Sequence, residues 1–383
     1  MQLRNFVRRQ KWRLRPLKRL VLPLRNAKRT LVALLRRVPT IEPLTRNYRG
    51  TSFCDTVEVH PVARNATPPH PFLPNAFDAT LMSEPASLFH LKEIDFWAYY
   101  GGSVVTSDNK LLADLSPEVW GAENHPIFSS FRLPKACELS GSTGIAVTPE
   151  APGNYYHWLI DLLPRVGLLK SSGHELDRVL INGIGAHYEQ RSLRALNFPI
   201  EKVYVTARDR FLIESAAIPS MDHFSKAIAP WKIDMLRGLR TSRAGRPAKR
   251  IYVSRKRAAV RRIINEDELA NLLRSANFEL LELESMTWDE QVAIFAQAEV
   301  VLAPHGAALA NIAFCEPGSL IVEIGTRTGY KDFYLYLAAS AQLRYRFIEA
   351  RPRVDAKTDS LRAIENEDMI VDLAEVKKIL EAL

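Results

Sequence analysis

From residue 250 onward, short apolar runs alternate with helical patterns, and that alternation admits few folds. Strands are expected at 250–254, 278–283, 299–303, 320–324 and 345–348. Helices are expected after Asn265, after Thr287, from 307, and over about 331–340. Glu268 and Glu290 stand three residues beyond Asn265 and Thr287, the spacing of a helix N-cap and the acid that reaches back to it. Strands alternating with helices imply a parallel sheet covered on both faces. Such a sheet binds ligands beyond the carboxyl ends of its strands. The sharpest stretch is Glu299 to Asn311, where an apolar, β-branched run meets Pro304-His305-Gly306 and then small residues. That is a buried strand, a tight turn and a helix start. The N–H groups and dipole of a helix start receive anions. Gly306 lets an anion approach the backbone, Ala307 and Ala308 keep the approach clear, and His305 can donate to a phosphate oxygen. A βα turn with no ligand fits the same pattern.

At 383 residues the chain divides naturally into two domains. The polar, basic run 241–249, with Gly245 and Pro247, marks the boundary. The expected division is a basic arm over 1–41, an irregular α/β domain over 42–240, and a Rossmann-like domain over 241–383. In the first domain, residues 42–100 are Pro-rich and read as irregular chain. A hairpin follows over 101–112, turning at Asp108-Asn109. Further strands are expected at 144–147, 178–182, 202–206 and 211–213, with helices at 155–169, 186–196 and 224–240. A last helix over about 368–383 can pack on either domain, including back on the first.

The net charge of +9 is confined to the arm. Residues 1–41 hold 13 Lys and Arg with no Asp or Glu, so the remainder carries −4. Leu31, Leu34 and Leu35 share a helical face beside Arg36 and Arg37. That suits an anionic membrane surface, and a solvated tail or a nucleic-acid arm suits the charge as well. Cys54, Cys137 and Cys315 are far apart, so neither a zinc site nor a disulfide framework is indicated. No apolar run is long enough to span a bilayer, and no signal-peptide core precedes the arm. The expectation is a cytoplasmic protein, peripheral at the inner face of the membrane if the arm binds lipid.

The carboxyl ends of the second-domain strands present Ser254-Arg255-Lys256, then His305-Gly306, then Glu323 with Gly325. Cations, N–H groups and one carboxylate are what a nucleotide diphosphate needs, the acid serving the ribose hydroxyls. Arg255 also reads as one surface arginine among several, and Glu323 as a paired strand-end acid. In the first domain, His157 and Asp161 stand one helical turn apart and share a face. A carboxylate fixes the imidazole tautomer and raises its basicity, so the pair can deprotonate a hydroxyl. An ordinary core histidine gives the same spacing. No third ligand with suitable spacing supports a metal site.

The run Asn154-Tyr-Tyr-His-Trp-Leu-Ile-Asp-Leu-Leu-Pro-Arg165 resembles the first motif of glycosyltransferase family 61. Ile251-Tyr-Val-Ser-Arg-Lys256, with Arg262 and Asn265-Glu266, resembles the second. Gln291, Ala298 and His305-Gly-Ala-Ala-Leu-Ala-Asn311, extending to Glu323, resemble the third. The resemblance spans about 140–330; the arm and residues 42–100 lie outside it. Ala308 stands where many relatives have glycine, which leaves slightly less room for phosphate. The resemblance implies a GT-B-like fold, two Rossmann-like domains facing across a cleft, with the basic extension added. It implies an inverting transferase that uses a nucleotide diphosphate sugar. Members of that family include plant xylosyl- and arabinosyltransferases and O-linked N-acetylglucosaminyltransferases, and bacterial relatives are usually tied to capsular or other surface polysaccharides.

The mechanism expected on that basis places the donor on the second domain. Arg255, His305 and the N–H groups of Gly306, Ala307 and Ala308 would hold the departing diphosphate, with Arg262 assisting. Asn311 would steady the loop, and Glu323 would take a ribose or donor hydroxyl. His157 would accept the proton of a glycan or lipid-linked acceptor, oriented by Asp161; Asp161 as the base itself is the competitor. Neither a cofactor nor a metal is expected, because no DxD motif is visible. Two other classes remain: a nucleotide- or polysaccharide-binding protein without catalysis, and a nucleic-acid binder working through the arm, whose affinity would depend steeply on salt. No GxGxxG follows a strand and no GxSxG elbow occurs, which disfavours a dehydrogenase and a lipase-like enzyme.

Overall fold

The computed structural model describes residues 27–32, 38–42, 54–60, 64–66, 80–82, 86–118, 121–220, 228–240, 248–353 and 366–383. Most of the arm and the connector 241–247 lie outside the described residues, and so do the expectations placed on them. The described part of the arm includes a helical turn over 27–32. Its Val32 is fully buried while Leu31 is exposed, so the apolar face of this turn is set by Val32. The Lys28 ammonium lies over the Phe131 ring and the Arg29 guanidinium over Phe128, cation–π contacts that hold the turn on the first lobe.

The first lobe is built on strands β1 (Thr40–Glu42), β2 (Cys54–His60), β5 (Ala86–Trp97), β6 (Ser103–Val105), β7 (Lys110–Leu112), β8 (Ala136–Ile145), β9 (Arg178–Ile181), β10 (Val203–Val205) and β11 (Arg210–Pro219). β3 (Arg64–Ala66) and β4 (Thr80–Met82) form a separate pair. The sheet runs β1-β7-β6-β5-β11-β8-β9-β10, with β2 also pairing β5. One half is antiparallel about β5, and the other is a parallel unit of β11, β8, β9 and β10. The long β5 sits inside the stretch expected to be irregular. Its first four residues are all buried, so it shows no alternation that a period-2 reading could find. The hairpin forms as expected, with Asn109 in the left-handed region at φ 65°.

After β8 comes the helical stretch from Tyr155 to Ser171. The Asn154 side chain accepts from Tyr156 N at 3.1 Å and caps it. Its middle, Trp158–Leu162, is a π-helical segment. Pro164 follows directly and has no N–H to give an α-helical ladder, which accounts for the wider turn before it.

The second lobe is regular. Strands β12 (Lys249–Val253), β13 (Phe278–Leu281), β14 (Ala298–Pro304), β15 (Leu320–Gly325) and β16 (Arg344–Glu349) form one parallel sheet ordered β13-β12-β14-β15-β16. Thr287 and Glu290 form the expected capping box. Asn265 does not cap its helix. Its side chain donates to Val371 O at 2.9 Å and accepts from Val371 N at 3.0 Å, tying the C-terminal segment to the lobe. The last helix, Leu373–Glu381, joins that tie: Val376, Ile379 and Leu380 pack with Tyr252, Leu269 and Leu273 of the second lobe.

The lobes are not separate cores. Trp158, Leu159, Leu162 and Val166 from the first belong to one buried cluster with Phe295, Leu309, Ile312 and Phe314 from the second. The expected pair of domains facing across a cleft is therefore modified, because a continuous apolar seam joins them below the site.

One buried group makes stability depend on acid. His125 is fully buried, and its Nδ1 accepts from Ile127 N at 3.2 Å. Burial pushes its pKa from 6.5 down to about 4, with a hydrogen bond to Gly102 opposing in part. The unfolded chain therefore takes up a proton that the folded chain refuses. Stability is expected to fall as pH drops from 6.5 to about 4. His125→Asn, which keeps an acceptor and removes the titration, should flatten that part of a plot of thermal midpoint against pH.

Candidate active site

The carboxyl ends of β12, β14 and β15 bring together the side chains expected there. Arg255 follows β12 by way of Ser254, and its Nη2 donates to Val260 O at 3.1 Å. Gly306 follows β14, and a methyl group at that position would overlap Arg255 Nη1. Arg255 and the His305-Gly306 turn are thus side by side. The need for glycine is steric: Gly306 has φ 170°, extended backbone that any residue adopts. A helix follows over Ala307–Phe314, wound as 3₁₀ rather than α. Its first N–H groups have no partner within the helix.

His305 is held from three sides. Its N–H donates to Ile324 O at 2.8 Å, its Nδ1 lies 2.5 Å from Glu323 Oε1, and its ring meets Tyr334 at a centroid distance of 5.2 Å. The Tyr334 hydroxyl donates to Gly306 O at 2.6 Å and fixes the turn. Burial pushes the Tyr334 hydroxyl pKa far up, so it stays a donor.

Glu323 is fully buried, with His305 on one oxygen and the Tyr345 hydroxyl on the other at 2.7 Å. The expected ribose contact does not fit that placement. Glu323 orients His305 from behind. Arg262 does not reach the crevice either. It is exposed and pairs with Asp368, Nη2 to Oδ2 at 2.7 Å and backbone N to Oδ1 at 2.9 Å. Its neighbour Arg261 takes the place expected for it. Arg261 sits at φ 58°, which turns the chain so that adjacent arginines diverge. Burial lowers the Arg255 pKa, and the positive charge of Arg261 lowers it further, so the two guanidiniums are close. The Nε atoms of both are buried without a hydrogen-bond partner among the described residues. Two half-buried guanidiniums with unmet Nε donors are a costly arrangement unless an anion completes it.

Asn311 is fully buried and serves the seam. It accepts from the Tyr155 hydroxyl at 2.5 Å and donates to Gln291 Oε1 at 3.1 Å, while Trp288 Nε1 donates to the same Tyr155 hydroxyl at 3.1 Å. The network crosses from first lobe to second and locks the helix of Tyr155 against the turn of Gly306.

His157 belongs to the first lobe. Its Nδ1 lies 2.6 Å from Asp161 Oδ2, as the one-turn spacing requires. Its Nε2 lies 2.7 Å from Glu150 Oε2 in the loop before the helix. Burial alone would lower its pKa, but hydrogen bonds and charge from Asp161 and Glu150 win and push it up to about 9. The resting imidazole is therefore a cation between two carboxylates. A chain of rings connects it to the donor side: Tyr156 is 5.7 Å from Tyr334 and 5.4 Å from Phe333, and His157 is 6.3 Å from Phe333. Ring contacts thus link the arginines and glycine turn of the second lobe to the imidazole and carboxylates of the first.

Sequence reasoning missed Arg261 and Glu150. The first is hidden by Arg262 beside it, since nothing local announces a left-handed residue there. Glu150 precedes the helix cap in a Pro-flanked loop, and no helical spacing links it to His157.

A model of the family described as Glycosyltransferase 61 matches residues 155–322 of this chain. That match takes in His157, Asp161, Arg255 and His305, and it supports a glycosyltransferase of that family. A search of curated proteins gives no match. No helix among the described residues is long and apolar enough to cross a membrane.

Proposed function

We propose that the protein is an inverting glycosyltransferase that moves a sugar from a nucleotide diphosphate donor to a hydroxyl of a glycan or lipid-linked acceptor. The observation that carries this reading is the pair Arg255 and Arg261, half-buried with unmet Nε donors, Arg255 lying against Gly306. In this reading the lobes act as a GT-B-like pair, with donor on the second and acceptor on the first. The diphosphate lies against Arg255, Arg261, His305 and the N–H groups from Gly306 to Ala308. Its charge grows as the glycosidic bond breaks, and fixed cations and N–H groups meet that growth without reorganising. The acceptor oxygen forms its bond to the anomeric carbon as the bond to phosphate oxygen breaks. The bonding pair leaves on the diphosphate, and the acceptor proton passes to His157 Nε2. A single displacement from the opposite face inverts the anomeric centre. Asp161 engages Nδ1, which favours Asp161 as the group that orients and His157 as the base.

The direct test is thermal-shift screening against nucleotide diphosphate sugars. A true donor stabilises the folded chain by mass action, about 2.7 kcal/mol at a hundredfold excess over Kd. If no member of a broad panel raises the midpoint, the reading fails. The guanidiniums take the role that a divalent ion fills elsewhere, so transfer is expected to survive EDTA. Loss of turnover in EDTA, restored by Mn²⁺ or Mg²⁺, would contradict this. The work is assigned to the cytoplasmic face of a membrane in surface polysaccharide synthesis, with residues 1–41 on anionic lipid. Fractionation of cells with and without that arm tests the placement.

A further inference from the structure

We propose that Glu150 is a removable counter-ion for His157, occupying the place that a sugar hydroxyl of the acceptor takes, and that the acceptor ring is received between the exposed rings of Tyr100 and Phe333. This rests on the transferase reading and names what that reading leaves open: how a carbohydrate acceptor docks and turns the base on. Glu150 lies outside the stretch matched by the family model.

The argument starts from an obstacle. Nε2, the nitrogen that must take the acceptor proton, lies 2.7 Å from Glu150 Oε2. A base so engaged is protonated, and it cannot accept a second proton. Asp161 is held on the same helix with a side chain only 14% exposed, so it is a fixed partner. The Glu150 side chain is 56% exposed and sits on a loop, so an acceptor hydroxyl can reach it from solvent and compete for its place. When a neutral hydroxyl replaces it, one of two charges holding the imidazolium is lost. The Nε2 proton then leaves to solvent, and the neutral nitrogen faces the hydroxyl it is to deprotonate.

The rim of this place is aromatic. Tyr100 is 38% exposed and Phe333 is 43% exposed, one from each lobe. Phe333 stands 6.3 Å from the His157 ring. Tyr100 interacts with the charge of Glu150 and also with Glu118. Its backbone is held in the left-handed region at φ 54°, an uncommon conformation for a residue with a side chain. The turn is fixed from beneath: a Cβ at Gly101 would lie 2.6 Å from Pro149 Cγ, so Tyr100 is presented directly beside the Glu150 loop. Exposed rings flanking a polar floor suit a pyranoside, which has apolar C–H faces and equatorial hydroxyls. Among the described residues, the titratable groups facing His157 include Glu150 from the loop and Asp161 from its own helix, with Tyr156 beside it; Phe333 of the second lobe adds no charge.

The test reads the imidazole itself and needs no identified acceptor. Nitrogen NMR of the full chain, with the His157 signal assigned by its loss in His157→Gln, follows the ring through pH. The wild-type midpoint is expected near 9. In Glu150→Gln it should fall by at least about one pH unit, because one carboxylate is gone. Saturating methyl glycosides of glucose, galactose, mannose and xylose are then added singly. At least one should lower the wild-type midpoint toward that of Glu150→Gln and leave the variant's own midpoint unmoved. Tyr100→Ala and Phe333→Ala should each raise the glycoside concentration required by about two- to tenfold. An unchanged midpoint in Glu150→Gln, or no response to any glycoside, overturns the proposal. Failure of the donor reading shows separately, as the absence of any nucleotide sugar that stabilises the chain.

Discussion

Replacing His157 by Ala is expected to lower transfer about 10²–10⁴-fold, the usual contribution of a positioned general base, while donor affinity is unchanged. Arg255, His305 and Gly306 lie on the second lobe, and the rings of Tyr156, Phe333 and Tyr334 link that lobe to His157. Ala leaves Glu150 and Asp161 without the cation between them, so His157→Gln is the companion variant that keeps hydrogen bonding without a base. The measurement is turnover beside donor-induced thermal shift, and equal loss of both would mark a structural residue. Linkage supplies a second signature. The folded pKa is raised from 6.5 to about 9, so the histidine's contribution to stability is complete below pH 6.5 and is lost as pH rises through 9. The stability gap between wild type and His157→Gln should therefore close above that pH.

Gly306→Ala is expected to weaken donor binding about ten- to hundredfold and leave the melting temperature of the free protein nearly unchanged. The added methyl meets Arg255 Nη1, the far end of a flexible side chain, so the fold adjusts by moving the guanidinium. What is lost is the position of a cation whose hydrogen bonds to a charged oxygen are worth about 1.5–3 kcal/mol. Arg255→Lys should fall between, because an ammonium keeps the charge and loses the planar fork. A donor-induced thermal shift as large in Gly306→Ala as in wild type would remove the arginine from the binding account.

The legible part of this molecule was its second lobe. Apolar runs at a parallel-strand length, the Thr287–Glu290 box and the Pro304-His305-Gly306 turn each act locally, and strands alternating with helices form a parallel sheet. The His157–Asp161 contact was legible for the same reason, since one helical turn fixes it. What could not be read depends on distant chain. β5 is buried by neighbours on both sides, so its sequence carries no period. Glu323 has the right residue type at the right strand end, but Tyr345 from the next strand and His305 take both oxygens. Arg261 and Arg262 are the same residue type side by side. Only a left-handed backbone at the first and an aspartate from the C-terminal segment at the second decide which points inward.

The shared apolar seam bears on how such an enzyme can be re-engineered. Phe314 and Trp158 are each fully buried in one cluster, and Asn311 bonds Tyr155 across the join. Exchanging one lobe for that of a relative would expose a large oily surface and strand the amide. New donor or acceptor preferences are better sought by changing rim residues one at a time than by grafting halves.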